Sequence, residues 1–393
     1  MGLFIPENSL RNLKLYKYSS EDHSLLSKYV LKKWWNSFVL LVPSWMAPNV
    51  VTLLGLVFII CNLICVLYYD PYLNQESPRW CYFFYAFGLF MYQTFDGCDG
   101  AHARNTGQSG PLGELFDHSI DAINTTLAVI IFSSVFRLGY GWLLLCAHFT
   151  SVSNFYCSTW EEYHTHTLFL SQFSGPVEGI LMLVMIYIFT GIFGPDVYDI
   201  KVFDLNLVFL DGPHEVTLKT VLIIFGVISL VFNIASALFN VQEKYRKVTS
   251  GEKEAQEQAR KAYNGLLPFV FFYTSVGILV LVYPEMLLNL ALPFICSVGL
   301  AVSNSVGRII LSHLTKQTFP YDQHLMFVPT IQLVLITFLV RVYNYDYSKV
   351  LPSVCWLGVG VALGFHGMFI ADIVRDITGY LDIYALSIKH KKA

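Results

Sequence analysis

Charge is what this chain has least of. Only 13% of its 393 residues are Asp, Glu, Lys or Arg, 55% are hydrophobic, and the mean hydropathy is +0.52. Soluble domains carry about 25% charged residues, so the deficit makes lipid the main solvent. A net charge of −3, with no arginine-rich or RNA-binding signature, excludes nucleic acid as a partner. The sequence also lacks any CxxC pair. Its eight cysteines therefore read as small buried hydrophobes rather than a zinc or redox site. There is no long Gly/Ser linker and no evident repeat, which argues for one membrane domain. The opening MGLFIPENSL lacks the basic and apolar regions of a signal peptide, so the spans themselves direct insertion. No Asn-x-Ser/Thr site falls in an expected lumenal loop, because Asn124-Thr125-Thr126 lies inside a predicted span.

What is present is a series of apolar runs. A spanning helix needs roughly 20 mainly apolar residues. Such runs start near Val50, Trp80, Ile120, Tyr140, Val177, Leu218, Leu266, Met286, Leu325 and Val354. The expectation is an all-α polytopic membrane protein with about ten transmembrane helices. Before the first span, Leu25, Leu26, Tyr29, Trp34, Trp35 and Phe38 alternate with Lys28, Lys32 and Lys33. That pattern predicts an N-terminal amphipathic helix at the membrane surface, with a helix packed on the bundle as the alternative. The chain divides into an arm (1–45), catalytic helices (46–194), further helices of the same bundle (195–380) and a tail (381–393).

Lys and Arg set the orientation. With an even number of spans, three basic stretches share a side: Arg11, Lys14, Lys17, Lys28, Lys32 and Lys33; Lys244, Arg246, Lys247, Lys253, Arg260 and Lys261; and Lys389, Lys391 and Lys392. That side is expected to be cytosolic, and the loop from Gly107 to Gly110 falls there too. The closing Lys389-His390-Lys391-Lys392-Ala393 resembles a dilysine retrieval signal of endoplasmic-reticulum membrane proteins, with plain positive-inside charge as the alternative.

The second and third runs break the apolar rule. They read Asp96-Gly-Cys-Asp99-Gly100-Ala-His-Ala-Arg104, then eight residues, then Gly113-Glu114-Leu-Phe-Asp117-His118-Ser-Ile-Asp121. Carboxylates at membrane depth are costly and functional by default. Asp96 and Asp99 share a helix face, and Asp96, Gly100 and Arg104 follow one ridge at steps of four. On the next helix Glu114, Asp117, His118 and Asp121 take the spacing that normally marks an apolar stripe. The turn Asn105–Pro111 makes the two helices antiparallel neighbours. Four facing aspartates repel one another and need cations. Hard oxygen ligands suit Mg²⁺ or Mn²⁺, and a pair of such ions can clamp an in-line phosphoryl displacement. Gly100 and Gly113 allow close approach of a nucleotide, and Arg104 can grip phosphate through two hydrogen bonds. A structural salt-bridge network is the bland alternative, but Arg104, His102 and His118 are too few to balance these acids.

These residues match D-x2-D-G-x2-A-R-x8-G-x3-D-x3-D at every fixed position, and the chain is thereby similar to the CDP-alcohol phosphotransferase family. Met46-Ala47-Pro48-Asn49 with Thr52, the stretch from Pro111 to His118, and the stretch from Asp382 to Lys389 resemble its fungal cholinephosphotransferase and ethanolaminephosphotransferase members. The resemblance implies the last step of the Kennedy pathway: transfer of phosphocholine or phosphoethanolamine from CDP-choline or CDP-ethanolamine to diacylglycerol, with release of CMP. It implies Asp96, Asp99, Asp117 and Asp121 as metal ligands for two Mg²⁺, and Asn49, Gly100, Arg104, Gly113 and Glu114 as contacts of the CDP group. It also implies a homodimer in the endoplasmic-reticulum or Golgi membrane. For the general base, the family offers the position of Asp121 or that of His118. Imidazole titrates near working pH whereas a metal-bound carboxylate does not, which favours His118. Glu178 resembles a family glutamate that orients or assists this histidine; a helix-start charge is the alternative.

Other polar residues carry weaker expectations. Trp160-Glu161-Glu162-Tyr163-His164 could border a quaternary-ammonium site or an interfacial belt. His366, Asp372, Arg375 and Asp376 are expected to satisfy one another, and Arg308 and His313 to be structural. The rival classes are a cation-coupled transporter, which the missing repeat disfavours, and an enzyme of the same family with a soluble anionic acceptor such as inositol or glycerol phosphate. The latter should carry an extra basic cluster near the motif, and none is evident.

Overall fold

The computed structural model describes residues 2–16, 20–22, 26–170, 176–205, 214–249 and 251–389. Leu25, Lys17 and the last four residues, including most of the dilysine-like tail, lie outside them. The protein is a bundle of helices: α1 (Lys32–Phe38), α2 (Pro48–Tyr69), α3 (Arg79–Thr106), α4 (Pro111–Val135), α5 (Trp142–Thr165), α6 (Pro176–Phe193), α7 (Leu218–Val248), α8 (Glu252–Tyr263), α9 (Leu267–Val282), α10 (Ala291–Leu314), α11 (Val328–Arg341) and α12 (Tyr347–Leu381). Among the described residues, seven helical stretches are long and apolar enough to cross a membrane: 48–69, 111–135, 218–248, 252–282, 291–314, 324–341 and 347–381. The other three expected spans fall on α3, α5 and α6. The first two are long but carry the polar residues discussed below, and α6 is a shorter apolar helix. The run expected from Ile120 begins earlier, at Pro111.

Local chemistry sets the ends of the helices that matter most. Gly107 closes α3 in the left-handed conformation, φ +69°, where a side chain would be strained. Its N–H donates to the Arg104 carbonyl at 3.3 Å, and the Gln108 N–H donates to the Ala103 carbonyl at 2.8 Å. Pro111 then opens α4, where its missing N–H costs nothing. Asp96 thus lies as far from the end of α3 as Asp121 lies from the start of α4, and the two stand at one level. The helices are not packed neighbours along their length, however. Their backbones approach closely at few positions, and α2 packs along both. At the far end of α2, buried Asp70 accepts from Asn74 N–H (2.8 Å), Gln75 N–H (3.0 Å) and Ser134 Oγ (2.7 Å), which ties α2 to α4.

Helix α10 is the central post. Within its apolar window 83% of residues are buried, and it packs on α4, α5 and α12. Small residues permit that approach. A Cβ on Gly299 would run into the Thr126 side chain of α4, and one on Gly307 would meet the Phe369 ring of α12 at 2.8 Å. By contrast α7 is peripheral, with Phe225, Val231 and Phe232 exposed to the surroundings.

The arm is not loose. Leu3 N–H and Phe4 N–H donate to Asp372 Oδ2 at 2.6 and 3.3 Å, Asn12 Nδ2 donates to the Thr315 carbonyl at 2.8 Å, and Phe4 meets Phe369 edge-on. Further along, Trp34 Nε1 donates to Thr94 Oγ1 at 3.0 Å, and the Trp35 ring lies directly over Gly97. The predicted amphipathic segment is therefore helical and docked on α3, with Leu40 and Leu41 beyond it exposed.

Two small strand pairs were not expected. Ser20–Asp22 runs parallel to Leu168–Leu170, and Lys201–Leu205 pairs antiparallel with His214–Thr217. Both join helices outside the apolar runs. Lys201 is paired with Asp204 (2.8 Å) and Glu215 (3.2 Å) on the second pair. The polar set of α12 behaves largely as expected: Asp372 pairs with Arg375 at 2.6 Å and Asp376 with Arg375 at 3.7 Å. His366 is the exception, since both its ring nitrogens are buried without a partner.

Candidate active site

The acidic centre forms where α3 and α4 face each other beside α2. Asp96, Asp117 and Asp121 each present one oxygen, and the three oxygens lie within 4.8 Å of one another. Asp99 stands outside this triple and accepts a hydrogen bond from Thr52 Oγ1 of α2 at 2.5 Å. Tyr92 donates its hydroxyl to Asp121. None of the four aspartates takes part in an ion pair among the described residues, so the salt-bridge alternative fails: four acids face His118 as the nearest titratable base, without a lysine or arginine paired to any of them among the described residues.

The donor set fits a hard divalent cation. Asp117 Oδ1 is buried with no hydrogen-bond partner, and such an atom is expensive unless something coordinates it. Two oxygens on one Mg²⁺ are at most about 4.2 Å apart, twice the ~2.1 Å bond. The three carboxylates are thus close to the spacing that one such ion requires. All the donors are carboxylate oxygens, and neither Cys98 nor His102 belongs to the set; His102 Nε2 instead meets the Met46 carbonyl at 2.9 Å.

The residues assigned to the nucleotide surround this centre. A Cβ on Gly100 would meet only Arg104 Nη1, at 3.5 Å, and one on Gly113 only Asn49 Oδ1, at 3.9 Å. Both glycines therefore border open space rather than packed neighbours. Asn49 is buried and its Nδ2 donates to the Ala385 carbonyl at 2.9 Å, which draws the segment after α12 to the mouth of the site. Glu114, at the first turn of α4, accepts from the Tyr16 hydroxyl of the arm.

His118 Nδ1 lies 3.9 Å from Glu162 Oε2 on α5, and the two side chains are 12% and 9% exposed. Glu178 is in the first turn of α6, and no hydrogen bond or ion pair joins it to His118. The carboxylate that faces the histidine belongs to the motif read as a headgroup border or interfacial belt. Of its aromatic part, Trp160 is fully buried and its Nε1 donates to the Ala262 carbonyl at 3.0 Å, while Tyr163 lines a small pocket with Glu114 and Glu162 and its hydroxyl donates to the Gln317 carbonyl at 2.8 Å. These rings brace α5 against the α8–α9 junction and the loop after α10.

Sequence reasoning missed Tyr92 and Tyr16. Tyr92 had a signal, because it extends the ridge of Asp96, Gly100 and Arg104 by one more step of four. Tyr16 had none, being distant in sequence from Glu114.

A family model described as CDP-alcohol phosphatidyltransferase matches residues 45–209. Cholinephosphotransferase 1 of Saccharomyces cerevisiae is 50% identical over 396 aligned residues, covering 100% of both chains. Choline/ethanolaminephosphotransferase 1 of the same yeast is 49% identical, again over 100% of both. Choline/ethanolaminephosphotransferase 1 of Arabidopsis thaliana is 31% identical, over 99% of this chain and 100% of that one. With the acidic motif of α3 and α4 matched at every fixed position and relatives aligned from end to end, this chain belongs to the CDP-alcohol phosphotransferase family.

Proposed function

We propose that the protein transfers phosphocholine or phosphoethanolamine from the CDP-alcohol to the 3-hydroxyl of 1,2-diacylglycerol, yielding phosphatidylcholine or phosphatidylethanolamine and CMP. The observation that carries this reading is the carboxylate triple, without an ion pair among the described residues and with Asp117 Oδ1 left without a hydrogen-bond partner, near two glycines that border open space. The similarity to yeast enzymes named for these activities, over the full length of both chains, supports the choice of substrates.

In this reading Asp96, Asp99, Asp117 and Asp121 hold the metal, two Mg²⁺ ions, with Mn²⁺ as a substitute. Bound there, the metal supplies positive charge to the diphosphate and stabilises the CMP leaving group. Asn49, Gly100, Arg104, Gly113 and Glu114 hold the CDP group: Arg104 pairs with phosphate oxygens, and the glycines keep side chains out of its way. His118 accepts the proton of the diacylglycerol hydroxyl as its oxygen attacks the phosphorus that carries the amino-alcohol, and the bond from that phosphorus to the CMP oxygen breaks. Glu162 fixes the ring through Nδ1 and leaves Nε2 to take the proton; Glu178 is assigned a supporting role at the first turn of α6. Burial of the pair keeps water from competing with the lipid hydroxyl. We place the enzyme in the endoplasmic-reticulum membrane with site and termini cytosolic, from the distribution of Lys and Arg, and as a homodimer, from family resemblance.

The test is a side-by-side assay of purified protein in mixed micelles with CDP-choline or CDP-ethanolamine. CMP release that requires both diacylglycerol and Mg²⁺ is expected. Release with inositol or glycerol phosphate in place of diacylglycerol, or no release at all, overturns the reading.

A further inference from the structure

Outside the acidic centre, one cavity of about 280 Å³ opens between α10, α12 and the arm. Its polar lining is Asn304, Arg308 and His324, and its apolar lining includes Leu325, Phe365 and Met368. Arg308 lies six residues before the end of α10, about 9 Å along the helix axis. An arginine at that depth is costly unless something answers its charge. Among the described residues Asp322 answers it in part: its carbonyl accepts from the guanidinium and its carboxylate acts on the charge, but that carboxylate is shared with His324 at 2.9 Å.

A second polar group faces the cavity. Asn304 is only 7% exposed, lines the cavity, and has no side-chain hydrogen-bond partner among the described residues. Buried amides are normally satisfied. A guanidinium with donors to spare and an amide one helical turn before it thus line the same cavity. Phe365 and Met368, which also line it, are each 43% exposed on α12, where acyl chains can reach them.

We propose that this cavity binds the phosphodiester of an anionic glycerophospholipid. Arg308 holds the phosphate through charge-assisted hydrogen bonds, Asn304 donates to a phosphate or ester oxygen, and the chains leave over Phe365 and Met368. The volume suits a phosphoglycerol head but not two chains, being slightly below the usual range for whole small-molecule ligands, about 300–1,000 Å³. Diacylglycerol has no charge to offer Arg308, so the site is separate from the acceptor subsite of the reaction. Leu3 and Phe4 also line the cavity, so a bound lipid touches the same arm that carries Tyr16 to Glu114.

The experiment is photo-crosslinking of the full-length protein in nanodiscs, using phosphatidylglycerol with a diazirine on one acyl chain. Label is expected on the α12 peptide containing Phe365 and Met368. It should fall about tenfold or more in Arg308→Gln and about threefold in Asn304→Leu. Met368→Ala lies on the exposed face, does not threaten folding, and should also lose label. Unlabelled phosphatidylglycerol should compete, whereas diacylglycerol and inorganic phosphate should not. Equal labelling of the wild type and folded variants overturns the proposal. So does competition by diacylglycerol, which makes the cavity an acceptor channel, or by phosphate alone, which makes it a free-anion site.

Discussion

His118 of α4 and Glu162 of α5 face each other across 3.9 Å, both nearly buried, on the side of α4 next to the acidic centre. At that separation the contact is within ion-pair range but longer than a hydrogen bond, and Nδ1 is the ring nitrogen nearer the carboxylate, which leaves Nε2 on the other edge.

His118→Ala should therefore lower kcat by about 10²–10⁴-fold, the range for loss of a general base, with little change in the Mg²⁺ requirement. Glu162→Gln should lower kcat by about tenfold while KM for both substrates holds, because a positioning group acts on the reacting geometry. Glu178→Gln is the comparison. A larger effect there than at Glu162 would return the orienting role to α6.

The carboxylate triple predicts a metal phenotype separable from folding. Asp117→Asn should raise the Mg²⁺ concentration for half-maximal activity by at least about tenfold and cut maximal turnover. Its thermal unfolding in metal-free buffer should be equal to or higher than that of the wild type, since a repelling charge has been removed. A drop in metal-free stability would show that Asp117 is structural.

The Tyr16 hydroxyl on Glu114 predicts a binding effect from a residue far from the motif. Tyr16→Phe removes a hydrogen bond to a charged group, worth about 1.5–3 kcal/mol. KM for the CDP-alcohol should rise by about tenfold, and kcat at saturation should stay within about twofold. An unchanged KM in steady-state kinetics would sink this assignment.

Packing at the central post gives a stability prediction. Gly299→Val puts a side chain where the Thr126 side chain already sits. Forced overpacking of this kind costs about 1–3 kcal/mol, read as a lower melting temperature in detergent. The double change Gly299→Val with Thr126→Ala should recover part of the loss, because the clash is between those two side chains.

The sequence made the chemistry more legible than its surroundings. Carboxylates at i, i+3 and i+7 with a histidine at i+4 on a membrane helix violate the cheapest rule of membrane folding, so Asp96 to Asp121 stood out without any neighbour being known. The ends of α3 and α4 were equally readable from Gly107 and Pro111. Three things were not. The position of α2 between α3 and α4 depends on interhelical packing that no local pattern encodes. Glu162 was visible as an unusual acid, but its partner on another helix was not. The arm read as a surface-seeking segment, because Trp34 and Trp35 look the same whether they meet lipid or the backbone of Gly97.

The contacts that secure the arm also fix a calendar for assembly. Leu3 and Phe4 bond to Asp372, and Asn12 to Thr315, so the arm that precedes the bundle has partners on and before its α12. Helices inserted early can meet as they emerge, but the arm has to wait until α12 has been made. A chain halted before α12 would hold every carboxylate of the acidic motif and still lack the Asp372 anchor of Leu3 and Phe4. Synthesis of α12, rather than insertion of the motif helices, is then the event that secures the arm.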